Sequence, residues 1–124
     1  MAELFNYNYK ETVELFKDIK FFKKLLQYIK FYSGTLPIET VTANYTAQSV
    51  DYTVLVDTTA GNITLTLPVA SQGKIYNIKK ISSDVNTVTV VPTSGLIDGS
   101  ANSVISILNT SKQYQFDGTN YFII

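Results

Sequence analysis

Cysteine, histidine, arginine and tryptophan are all missing from this 124-residue chain, and each absence removes a class of chemistry. Without cysteine there are no disulfides, thiol nucleophiles or thiolate metal sites. Without histidine there is no imidazole to ligate zinc or to shuttle protons near neutral pH. Without arginine the planar fork that grips phosphates and guanine edges is lacking, and ten lysines are balanced by ten acids. That balance argues against a nucleic-acid partner, which calls for clustered positive charge. Charge of either sign is scarce: charged residues make up 16% of the chain, against about 25% in ordinary soluble domains. A surface so weakly charged and neutral overall has little repulsion to keep copies apart, which favours assembly. No apolar run reaches the length of a membrane span, so no membrane insertion is expected. The opening MAELFNYNYK has no basic region followed by an apolar stretch, so no secretory leader is expected. The starting Met points to a complete small gene product made in the cytoplasm.

What is present divides by period. From about Glu11 to Tyr32, Leu15, Ile19, Phe22, Leu26 and Ile29 recur at spacings of four, three, four and three, the seam of an oligomerising helix. Phe21, Leu25, Tyr28 and Tyr32 widen that face, while lysines occupy the other side. Three occupants of the face are open at this point: further copies in a parallel three-stranded bundle, the chain's own β region, or a membrane surface. Ser33, Gly34 and Pro37 stop the helical pattern, giving an expected tether and helix over 1–35 and a β domain over 36–124. Ahead of the helix, Phe5, Tyr7 and Tyr9 alternate, as a strand added to the edge of another protein would.

After Pro37 the period is two. Strands are predicted at 52–57, 63–67, 74–81, 87–91, 103–108, 112–116 and 121–124, with 41–47 a further strand or an extended connector. Gly61-Asn62, Pro68, Gly73, Pro92, Gly95, Asp98-Gly99 and Asp117-Gly118 punctuate them. The fold class expected is mainly β: a small antiparallel sandwich or jelly-roll-like domain preceded by an N-terminal α-helix that forms a parallel trimeric bundle.

The candidate acid–base groups in the β region are Asp51, Asp57, Asp84, Asp98, Asp117 and Glu39, with four lysines and the tyrosines. A glycosidase needs two carboxylates across a cleft, and Asp57 with Asp98 is the pair considered. Asp98 and Asp117 precede glycine and suit turns, so no catalytic residue, metal site or cofactor is assigned. The β-region tyrosines fit sheet or interface positions, with sugar stacking as the functional alternative. Asn44-Tyr-Thr, Asn62-Ile-Thr and Asn109-Thr-Ser match the glycosylation pattern at a rate chance supplies in so Asn- and Thr-rich a chain.

The order Tyr52-Thr-Val-Leu-Val-Asp57, Gly61-Asn-Ile-Thr-Leu-Thr-Leu-Pro68, Gly73-Lys-Ile-Tyr-Asn-Ile-Lys-Lys80, Asn86-Thr-Val-Thr-Val90, Leu96-Ile-Asp-Gly99 and Gln115-Phe-Asp-Gly-Thr-Asn-Tyr-Phe-Ile-Ile124 resembles the β modules of bacteriophage tail-fibre and virion attachment proteins. The resemblance spans roughly 41–124 and transfers no catalytic residue. It implies a virion location, a homotrimeric fibre or spike, partners among capsid, vertex or tail proteins, and a host surface glycan or protein as receptor. The loops Thr58–Gly61, Ser82–Asn86 and Thr93–Ser100 are its candidate contact surfaces. The rival expectations are an auxiliary capsid decoration protein and a non-viral carbohydrate-binding module.

Overall fold

Alternating Thr, Val and Ile after Pro37 present one apolar row per strand, and two sheets pair those rows against each other. The computed structural model describes residues 34–124. The predicted helical seam (Leu15, Ile19, Phe22, Leu26, Ile29) and the alternating Phe5, Tyr7 and Tyr9 lie outside the described residues. Leu36–Ile124 forms one compact unit. Its strands are β1 (Ile38–Val41), β2 (Tyr45–Thr46), β3 (Thr53–Val56), β4 (Ile63–Leu67), β5 (Ile75–Lys80), β6 (Val88–Pro92), β7 (Ser103–Ile105), β8 (Ser111–Phe116) and β9 (Tyr121–Ile123).

The domain is mainly β, as its sequence pattern indicates, but the antiparallel expectation is corrected. One sheet has the order β1-β3-β5-β8-β9 and the other β2-β4-β6-β7. β1 pairs with β3, β3 with β5, β2 with β4 and β4 with β6, all in parallel. Only β5–β8, β6–β7 and β8–β9 are antiparallel. From β1 to β6 the strands therefore alternate between sheets, and each crossover between parallel neighbours is itself a strand of the opposite sheet. Three coils (β1–β2, β3–β4, β5–β6) stack in register before the chain reverses into the antiparallel closing strands. Turn signals such as Gly61-Asn62 mark arches between sheets, not hairpins. Period-two alternation is the same for both pairings, which is why it could not separate them.

The core is one cluster drawn from both sheets, with Val54, Val56, Tyr76, Ile78, Tyr114 and Tyr121 facing Ile63, Leu65, Leu67, Val88, Val90 and Ile105. Tyrosines of the five-stranded sheet fasten the two layers. Tyr76 Oη donates to Gln48 O after β2 (3.1 Å), Tyr114 Oη to Ser103 Oγ on β7 (3.0 Å), and Tyr121 Oη to Pro68 O after β4. Burial pushes the Tyr76 and Tyr114 phenols up to about 12 and raises that of Tyr121 as well. Phe116 and Tyr121 pack with their rings tilted at 42° and their centroids 4.8 Å apart. These tyrosines are thus core residues and not sugar platforms.

Asparagines just before the strands of the four-stranded sheet tie one coil to the next. Asn44 Oδ1 accepts from Thr64 N (2.8 Å), and Asn62 Oδ1 accepts from Thr87 N (2.9 Å). Two of the three glycosylation-like triplets therefore carry a stacking bond between coils.

Candidate functional site

Because the coils run in parallel, the three candidate contact loops separate onto two ends of the domain. Thr58–Gly61 follows β3 and Ser82–Asn86 follows β5, so these two meet at one end. Thr93–Ser100 follows β6 and sits at the other end beside Asp117–Asn120. There Leu96 N donates to Asn120 Oδ1 (2.9 Å) and Asp98 N to Tyr121 O (3.1 Å).

The first end is built around Lys80, the last residue of β5. In Ile75-Tyr-Asn-Ile-Lys-Lys80 the inward phase is Tyr76, Ile78, Lys80, so the pleat delivers an ammonium to the interior with none of its surface exposed. Its Nζ donates to Ser82 O (2.5 Å) and lies within 3.3 Å of Asp84 O and 3.4 Å of Asp84 Oδ1. Thr58 N donates to Ser82 Oγ (2.8 Å), and Thr58 Oγ1 donates to Asp84 Oδ1 (2.7 Å). Since the single Thr58 hydroxyl proton goes to Asp84, the bond between Thr58 Oγ1 and Ser82 Oγ (2.9 Å) is donated by Ser82. Asn86 closes the ring, its N donating to Asp84 Oδ1 (2.9 Å) and its Nδ2 to Thr58 O (2.8 Å). The Thr58 hydroxyl and the Asn86 backbone amide, both donating to Oδ1, outweigh burial and hold the Asp84 carboxyl well below the usual carboxylate range.

This arrangement is a staple between two loops. The Ser82 proton points at another hydroxyl, and the Lys80 protons are turned to the Ser82 and Asp84 oxygens. Asp84 Oδ2 is the one buried side-chain oxygen without a partner among the described residues. Asp57 joins no carboxylate pair across a cleft. Its Oδ1 accepts from Thr59 N (2.9 Å) and Oγ1 (2.5 Å), which lowers its own titration. Asp98 is bonded to Ile123 N of β9 (3.2 Å). β5 and β8 lie between β3 and β9, three strand spacings or about 14 Å, so Asp57 and Asp98 are not brought together. Among the described residues no group of His, Cys, Asp or Glu is placed to hold a metal ion, and no helix is long and apolar enough to cross a membrane.

Beside the other end lies an open depression of about 320 Å³ lined by Gln72, Gly73, Gln115, Phe116, Asp117 and Phe122. Gln115 and Phe122 are register partners on β8 and β9, so both project from the outer face of the five-stranded sheet. Phe122 is 44% exposed. Asp117 Oδ1 accepts from Asn120 N (2.7 Å) and Thr119 N (2.8 Å), and those amides keep its carboxyl below the ordinary range. No motif in the sequence points to Gln72, Gln115 or Phe122. The signal available was geometric: in the run Tyr121-Phe-Ile, a buried Tyr121 forces Phe122 outward.

The outer faces are the remaining surface. On the five-stranded sheet, register aligns Ile38, Thr53, Asn77 and Gln113 in one row and Thr40, Leu55, Lys79 and Ser111 in the next. On the four-stranded sheet it aligns Thr46, Thr66 and Val91, then Thr64, Thr89 and Val104. Within the strands, Lys79 is the one charged residue on either outer face.

No protein-family model matches the chain, and no curated protein matches it at a significant level.

Proposed function

We propose that this chain is a structural protein of a virus particle, a homotrimeric fibre or spike component that presents its β domain for host attachment. The observation that carries the reading is the near absence of charge from both outer sheet faces. A solvated sheet face ordinarily carries charged side chains, whereas the centre of a protein interface is depleted of them. The coil stacking and the Tyr and Lys80 fastenings supply the stiffness such a role needs. The order of segments over 41–124 supports the virion assignment. The 4-3-4-3 seam over Leu15, Ile19, Phe22, Leu26 and Ile29 is the proposed trimer contact, and Phe5, Tyr7 and Tyr9 the proposed tether to a capsid, vertex or tail protein.

The mechanism is multivalent. Three copies of a weak surface held at fixed separation bind more tightly than one copy, without any new contact. The double substitution Phe22→Asp with Leu26→Asp tests the assembly. The expected outcome is loss of the oligomer in sedimentation with the β domain still folded. Retention of the parent mass contradicts the helical trimer. Binding of the full chain to bacterial cells supports attachment. Saturable binding to intact particles alone supports the decoration reading instead.

A further inference from the structure

The depression formed by Gln72, Gly73, Gln115, Asp117 and Phe122 has a lining that selects its ligand. Its polar groups are two carboxamides and a carboxylate, and its one exposed apolar surface is an aromatic ring. Among the described residues no cation lines it. The ammonium of Lys74, next to Gly73 in sequence, is drawn away to Asp51 O (2.5 Å) and over the Tyr76 ring. An anionic ligand therefore meets a carboxylate and no counter-charge, and a purely apolar ligand leaves the carboxamides unpaired. A neutral, hydroxyl-rich ring satisfies all of them. Its hydroxyls donate to the carboxylate and exchange bonds with the amides, while its C–H face lies on the aromatic ring.

The unused bonding capacity is in the right place. Gln115 Nε2 donates to Gly73 O (3.3 Å), and among the described residues nothing donates to its Oε1. Asp117 is anchored through Oδ1 alone, and among the described residues nothing donates to its Oδ2. Phe122 lies opposite Gln115 across the β8–β9 pair on the same outer face. The volume is at the small end of ligand sites, and its open side lets a longer chain continue into solvent.

We infer that this depression is a subsite for one neutral pyranose residue of a surface glycan, with Phe122 as the stacking platform and Gln115 and Asp117 as the hydroxyl clamp. The inference rests on the attachment reading for its biological use, though not for its chemistry. One site per chain gives weak binding, and the proposed trimer raises it by avidity.

The test is an amide-shift NMR titration of the full chain with methyl hexopyranosides and N-acetylhexosamines, using N-acetylneuraminate as the anionic control. The expected result is saturable shifts at Gly73, Gln115 and Phe122 from at least one neutral sugar and none from the control. Phe122→Ala, at an exposed position, should weaken that binding about tenfold with the amide spectrum otherwise intact. Gln115→Ala should also weaken it. No shift from any neutral sugar, equal binding of the anion, or binding unchanged by both substitutions overturns the subsite. Cell binding by the full chain separates the two readings. Adhesion of undiminished affinity in Phe122→Ala overturns the subsite's part in attachment and leaves attachment itself standing. A positive titration without adhesion to any bacterium of a test panel upholds the subsite and contradicts attachment.

Discussion

Lys80 shows how one residue can carry a loop architecture. Its ammonium is wholly buried, and its charge is met by Ser82 O and by Asp84 at 3.4 Å. Removing the cation leaves Ser82 O turned inward without a donor and takes the counter-charge from Asp84, so Lys80→Met should cost about 3 kcal/mol. Denaturant titration checks this, the expected signature being a lower midpoint at unchanged slope. Asp84 gives the same staple a pH dependence. Its folded carboxyl titrates below the unfolded one, so its contribution is complete above about pH 4 and is lost as the pH falls further. Asp84→Asn should flatten the acid limb of a plot of melting temperature against pH. Gly95 is the other sensitive position. It has φ +78°, and an added Cβ would fall inside contact distance of the Thr119 carbonyl and 2.8 Å from Asn120 Oδ1. Both features oppose a side chain, so Gly95→Ala should destabilise by about 2 kcal/mol or more, read from the same titration.

Most strands were legible in the sequence, whereas β1 (Ile38–Val41) and the strand pairing were not. Ile63-Thr-Leu-Thr-Leu67 and Lys74–Ile81 announce pleated segments by alternation, and the observed strands fall within a residue or so of those limits. Parallel stacking left a fainter trace because the coils differ in length. Thr53 pairs with Asn77 and Ile63 with Val88, whereas Ile38 pairs with Thr53 and Tyr45 with Leu65. Unequal offsets hide the repeat from any fixed period. What does recur is an asparagine just before β2 and β4, Asn44 and Asn62, whose amide oxygen takes a backbone N–H near the start of the neighbouring strand in the next coil. Asn62→Ala should therefore cost about 1 kcal/mol and raise hydrogen exchange at Thr87 before other amides of β6 respond. The candidate loops were only partly legible. Composition marked all three, but only the parallel register sends Thr58–Gly61 and Ser82–Asn86 to one end and Thr93–Ser100 to the other.

At the scale of the whole molecule, two weakly charged faces surround a core closed by tyrosines. The buried phenols of Tyr76 and Tyr114 are held up to about 12, and in the unfolded chain they ionise near 10. Folded pKa values above the unfolded ones mean a contribution present in full below about pH 10 and lost as the pH rises toward 12. Alkaline unfolding should therefore coincide with a cooperative rise in tyrosinate absorbance, and Tyr114→Phe should reduce the pH sensitivity of that limb. Neutral faces, scarce charge and a heptad seam converge on assembly as the central claim. Light scattering on a sizing column, comparing the full chain with a version beginning at Leu36, tests it most directly. The account predicts about three times 13.8 kDa for the full chain, with the shortened version dissociating. A full-length mass of one chain would contradict it.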